Sequence, residues 1–205
     1  QLTTLPGIIE RTFKIEMPDT LEVMILLFIF ASGILGEIQE YYLTFPFWDM
    51  ILHAINGFIA AAIGFSLVDL LNRRENITFS LSPIYMAIAA FCFSMTIGVI
   101  WEFFEFLMDI YAGTDMQKDT FINTIRSVKL NPDRKNIPIS IENIQSVFVN
   151  GIKLKGYLDI GLFDTMKDLF VNFFGAAVFS VFGFFYVKNR GKGRLTKKFI
   201  LKRRD

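Results

Sequence analysis

The sequence predicts an all-α polytopic membrane protein: a bundle of about four transmembrane helices carrying a small β-rich extracytoplasmic insertion. Three observations predict it. The 205 residues are 53% hydrophobic and include 24 phenylalanines, far more than a soluble domain of this length normally holds. Four apolar runs approach the roughly 20 residues needed to cross a bilayer. The one long polar segment, residues 113–162, carries short apolar runs and turn signals instead.

Residues 1–20 mix Ile8, Ile9, Phe13 and Ile15 with Glu10, Arg11 and Lys14, and suit an interfacial lead-in. Pro18-Asp19-Thr20 reads as a helix start with Asp19 or Thr20 as cap. The first apolar run covers residues 21–36 and ends in Glu37, Ile38, Gln39 and Glu40. A short loop, residues 43–48, carries aromatics suited to the headgroup level. Asp49 opens the second span, where Gly57/Ala61 and Ala60/Gly64 form a small-residue stripe inviting close helix contact. That span stops at Asn72-Arg73-Arg74-Glu75-Asn76.

The third span begins near Ser82-Pro83, with Pro83 tolerated in the first turn. It runs about 30 residues into an acidic end, so it is tilted or projects beyond the bilayer. In the insertion, residues 125–130, 137–141 and 147–154 read as strands. Asn131-Pro132-Asp133 marks a turn, and Asn150-Gly151 is the strongest hairpin signal in the chain. Asp164 opens the last span, and nine Lys/Arg crowd residues 188–204.

The organisation expected is therefore residues 1–112 for the lead-in and three spans, 113–162 for the insertion, 163–188 for the fourth span, and 189–205 for a basic cytoplasmic tail. Cys92 lies alone in an apolar run, so no disulfide framework exists and a small membrane-buried residue is expected there. The opening at Gln1 shows no basic segment with a cleavage site, and spans preceding it are allowed for.

Orientation follows from charge. With both ends inside a bacterial plasma membrane, Arg11, Lys14, Arg73, Arg74 and the nine tail residues are cytoplasmic, against eight outer Lys/Arg including Lys167. The tail then serves as a topology anchor touching anionic lipid. The lipid bilayer is the expected partner, no nucleic acid is expected, and the oligomeric state is left open.

This topology gathers acids at one membrane side. Glu37 and Glu40 end the first span, and Asp49 and His53 begin the second. Glu102, Glu105 and Asp109 end the third, and Asp164 and Asp168 begin the fourth. The three acids of the third span are spaced i, i+3, i+7 and so share one helix face. The pairs Asp49/His53 and Asp164/Asp168 are i, i+4 and each share a face. Asn56 and Asn172 extend the second and fourth stripes inward.

A carboxylate at mid-bilayer costs roughly 2.5–3.5 kcal/mol on insertion scales, so these acids need a partner, a ligand or water. Carboxylates converging with one imidazole suit a divalent cation. Oxygen donors favour Mg, Ca or Mn, and the single His moves the balance toward Mn, Fe or Zn. The metal set expected is Asp49, His53, Glu102, Glu105, Asp109, Asp164 and Asp168, with Glu105 as catalytic base. The plainer alternatives are N-capping for Asp49 and Asp164, solvation for Glu37, Glu40 and Asp69, and protonated acids on a proton path.

Asp49-x-x-x-His53-x-x-x-Gly57-Phe58, Trp101-Glu102-x-x-Glu105-Phe106 and Gly161-Leu162-Phe163-Asp164-Thr165-x-x-Asp168, ending in Gly175-Ala176, follow one order. In that order the chain resembles the YjdF-like family of predicted bacterial inner-membrane proteins, over residues 20–187. Asp-x-x-x-His at the start of a span is more weakly similar to VanZ-like proteins. The resemblance implies a bacterial polytopic membrane protein and the carboxylate/His set, and implies no activity. Asp115-Met116-Gln117-Lys118 and the long segment after it depart from the family pattern. Three function classes stay open: metal-dependent hydrolysis or transfer on a lipid or envelope substrate, cation- or proton-coupled transport, and non-catalytic interaction.

Overall fold

Helices take most of the chain because its apolar runs are long and free of internal proline. In a computed structural model, residues 7, 10–12, 15–72, 81–189 and 196–203 are described. The order is β1 (Ile15–Glu16), α1 (Asp19–Phe30, continuing as wide π-helical turns over Ala31–Ile38), α2 (Tyr41–Thr44), α3 (Trp48–Asn72) and α4 (Pro83–Ala112). Then come β2 (Phe121–Ile122), β3 (Ile125–Ser127), β4 (Ile139–Ile141), β5 (Val147–Val149), β6 (Ile152–Leu154), β7 (Tyr157–Leu158), α5 (Leu162–Lys188) and β8 (Lys202–Arg203). Among the described residues, four helices are long and apolar enough to cross a membrane: Asp19–Ile38, Trp48–Asn72, Pro83–Ala112 and Leu162–Lys188. The fold is that of an all-α polytopic membrane protein with small strand pieces.

Contacts divide the chain into two units, Gln1–Trp101 with Lys167–Asp205, and Glu102–Met166. The first holds the bundle core. Leu21, Phe65, Met86, Ala90, Ala176 and Phe179 are fully enclosed in it. In lipid such packing is driven by close van der Waals fit, since tails are as apolar as the side chains. Small residues supply the fit. A Cβ at Gly57 would strike the backbone oxygen of Asn172, and one at Gly175 would strike that of Ala54. α3 and α5 therefore cross backbone to backbone at two reciprocal glycines. The large apolar side chains left exposed, such as Leu27, Phe30, Ile88 and Phe174, face outward as a lipid-contacting surface does.

Three expectations for this unit need correction. Pro18 is the cap of α1, extended at φ −61° and ψ 137°, with no side-chain cap bond from Asp19 or Thr20. Proline fixes that φ, so the helix begins one residue earlier than a side-chain cap would set it. Asp69, expected in solvent, is 6% exposed. The segment after α5 is also more than a charged tail. Thr196, Ile200 and Leu201 are buried, Leu201 N–H donates to Ser66 Oγ at 3.0 Å, and β8 pairs antiparallel with β1. Lys14, Arg73, Arg74 and, of the tail cations, Arg190, Lys192, Arg194 and Arg204 lie outside the described residues.

The second unit consists of helix ends and three short antiparallel strand pairs. β2 pairs with β7, β3 with β4, and β5 with β6, all antiparallel. Residues 128–130, read as strand from the sequence, form a 3₁₀ turn after β3. Asn150 (φ 48°) and Gly151 (φ 85°) both lie in the left-handed region that a tight two-residue hairpin turn requires.

Candidate metal site

The site starts from helix register. His53 follows Asp49 by one turn on α3, which puts both on one face. Their separation is 3.6 Å from Nε2 to Oδ1. On α5, Asp168 brings an Oδ2 to 3.8 Å from the same imidazole nitrogen. His53 is 6% exposed and Asp168 1% exposed. The close crossing at Gly57 and Gly175 is what allows α3 and α5 to hold these side chains so near each other.

Beneath them lies a polar floor. Asn172, one turn after Asp168, is 1% exposed and donates its amide to the Ser94 carbonyl at 3.4 Å, with Met95 Sδ at 3.5 Å. Its Oδ1 is buried with no donor among the described residues. Ser94 Oγ donates to the Gly57 carbonyl at 2.8 Å. A Cβ at Gly98 would sit 2.7 Å from the Asn172 amide nitrogen, so Gly98 makes room for it. The sequence reading named Asn172 but missed Ser94 and Gly98. Their signal was present as a small pair at i, i+4 facing the acidic end of the same helix.

At the end of α4 the usual pattern is inverted. Glu102 and Glu105 are 4% and 6% exposed, while Phe103, Phe104, Phe106 and Leu107 stand outward. Within the first unit, Asp49 and Asp168 thus meet on one imidazole nitrogen of His53. Bonds of 2.0–2.6 Å to one cation hold ligand atoms no more than about 4–5 Å apart, so the chemistry and spacing fit a divalent ion.

Asp109, another expected ligand, is taken up by its own loop. Its Oδ1 accepts from Met116 N at 2.6 Å and Thr114 Oγ1 at 2.8 Å, and its Oδ2 from Gln117 N at 2.8 Å. It organises the loop that leaves α4. Asp164 Oδ2 similarly accepts from Lys118 N at 2.8 Å. Asp159 takes Thr120 N and Phe163 N at 2.7 and 2.8 Å. Three aspartates thus supply acceptors for a loop that forms no sheet of its own over residues 114–120, the segment that departs from the family pattern. Glu37 and Glu40 are exposed.

Residues 1–189 match the family model described as "Predicted membrane protein (DUF2238)". An uncharacterised protein of Thermotoga maritima is 26% identical over 124 residues, which is 58% of this chain and 62% of that protein. The chain thus spans under two thirds of that relative's length. No solved structure matches. The YjdF-like resemblance agrees with this family, and neither match bears on the weaker VanZ-like one. With the match covering nearly the whole chain and four helices able to span a bilayer, this protein belongs to the predicted membrane protein family DUF2238.

Proposed function

We propose that His53 and Asp168 form the inner wall of a divalent-cation site in the outer leaflet of a bacterial plasma membrane. In this proposal Glu102 and Glu105, which share one face of α4, are further ligands, with Asp49 and Asp164 as the remaining carboxylates of the set. The observation that carries the reading is a buried imidazole 3.6 and 3.8 Å from carboxylates on two helices. Carboxylates brought this close destabilise one another unless a cation or protons neutralise them. The mixed donor set suits Mn or Zn, with Mg or Ca as the all-oxygen alternative.

The activity we assign is metal-dependent hydrolysis or transfer on a lipid or envelope substrate. A cation there supplies an activated water or polarises a phosphoryl or carbonyl oxygen. Glu105 is the general base, buried and one helical turn from Glu102. Transport of cations or protons is the second reading, favoured by buried Asp69 on α3, sixteen residues and roughly 24 Å beyond His53. Ala61, Ala62, Phe65 and Phe179, all 0% exposed, lie in the bundle core over that stretch and oppose a continuous polar path.

The test is metal content by mass spectrometry of the purified protein beside His53→Ala, Glu102→Gln and Asp109→Ala. Near-stoichiometric metal in the wild type and in Asp109→Ala, lost in the other two, is the expected result. No metal in any sample, even after incubation with Mn or Zn, sinks the metalloenzyme reading. Liposome flux assays then separate transport from a purely interacting protein.

A further inference from the structure

The hairpin β5–β6 presents large apolar side chains on both of its faces. The register pairs Val149 with Ile152 next to the turn and Phe148 with Lys153 behind them. Partners across a strand pair share a face, and neighbours along a strand alternate. Val149 and Ile152 therefore form one face and Phe148 stands on the other. These three are 51%, 66% and 67% exposed. A hairpin built to dock on a protein surface needs one apolar face. An apolar tip on both sides suits a medium that surrounds it.

Charge and tether agree on the medium. Residues 143–158 contain no Asp or Glu and two cations, Lys153 and Lys155. Lys155 lies 5.2 Å over the Phe121 ring, which leaves Lys153 as the cation beside the tip. The segment between α4 and α5 is joined at both ends to helices able to cross a bilayer, so its local concentration at the lipid surface is set by the tether. Three-residue strands rise roughly 10 Å, close to the 5–10 Å depth of the headgroup–acyl boundary. The two-stranded sheet has open edges, whose backbone groups need water or headgroups, and this limits the tip to that shallow zone.

We propose that the hairpin tip, residues 148–152, inserts into the interface of the membrane that anchors its own chain, with Lys153 against anionic lipid headgroups.

The full chain carrying Cys92→Ser and Phe148→Cys, labelled with an environment-sensitive fluorophore, tests this in phosphatidylethanolamine/phosphatidylglycerol liposomes. Asp133→Cys in the same background is the control. Acyl chains brominated near the headgroup should quench the label at 148 at least twofold more than at 133, and aqueous iodide should do the reverse. Replacing phosphatidylglycerol by phosphatidylcholine, or adding Lys153→Glu, should cut that difference by half or more. Equal quenching at both positions overturns insertion. A shielded label at 148 that ignores brominated lipid but responds to dilution of protein in the bilayer also overturns it, and assigns the tip to a contact between copies. Insertion unaffected by lipid charge and by Lys153→Glu overturns the headgroup role of Lys153.

Discussion

Burial of its carboxyl, then the charges of Asp115, Asp159 and Asp109, raise the pKa of Asp119 above the ordinary aspartate value against an opposing Lys118. A carboxyl with a higher pKa in the folded chain than in the unfolded one binds its proton more tightly when folded. The stability it contributes is present at low pH and is lost as pH rises through the folded pKa. Asp119 is exposed as a residue, so the effect belongs on the scale of surface charge pairs, about 0.2–1 kcal/mol. Hydrogen exchange of the loop over residues 114–120 should therefore show protection falling from acid to neutral pH more steeply in the wild type than in Asp119→Asn. Equal slopes, after correction for intrinsic exchange, refute it. This loop also shows where single residues defeat sequence reading. A carboxylate at a helix end suits a metal or a row of backbone N–H groups equally well, and helix spacing cannot tell Asp109, which binds the loop, from Glu105, which turns inward. Asp69 misled for a related reason, because nothing local announces that the fold buries it.

Helices were the legible elements. Each apolar run is long enough to dominate its own structure, and the Gly57/Ala61 stripe announced a close crossing that α3 and α5 do make. Departures from regular helix were not legible. The π-helical end of α1 coincides with a Trp48 indole N–H donating to the Ala31 carbonyl at 3.3 Å and with Tyr42 stacked where a Gly36 side chain would stand. Both contacts come from residues beyond the helix, and α-period pattern carries no trace of them. The crossing itself makes a sharp prediction. Gly175→Leu pushes a side chain into the Ala54 backbone, where no rotamer change can relieve it. Overpacking of this kind costs typically 1–3 kcal/mol, and backbone contact places it at the high end. Gly33, which has nothing within 4 Å, provides the matched control as Gly33→Leu. Thermal unfolding in detergent should fall for Gly175→Leu and stay near wild type for Gly33→Leu. Because α3 and α5 carry His53 and Asp168, Gly175→Leu should also lose metal wherever the wild type holds it. A wild-type melting temperature for Gly175→Leu would mean that the two helices do not cross here.

The pairing of β1 with β8 constrains the topology of the whole chain. Ile15 lies opposite Arg203 and Glu16 opposite Lys202, so the segments before the first span and after the fourth meet on one side. Four spans, an even number, require that result, and the docking of Phe199 edge-on to Phe58 at 5.2 Å and of Leu201 onto Ser66 seats the C-terminal segment on α3. From the excess of Lys and Arg in these terminal segments we propose that this side is cytoplasmic. Cross-strand Cβ atoms in an antiparallel pair stand about 4.5–5.5 Å apart, within small adjustment of disulfide geometry. Glu16→Cys with Lys202→Cys, in a Cys92→Ser background, should thus form an intramolecular disulfide on mild oxidation, seen as a reductant-reversible mobility shift. Each single cysteine in intact cells should react with a membrane-impermeant maleimide only after permeabilisation. Labelling of both from outside would keep the pairing and invert the orientation, moving the acidic helix ends to the cytoplasmic leaflet. Labelling of one from outside and the other from inside would break the pairing and with it the four-span topology. A basic tail read from sequence as a topology anchor touching anionic lipid would then stay one, whereas the expected cross-link makes it the clasp that closes the bundle core.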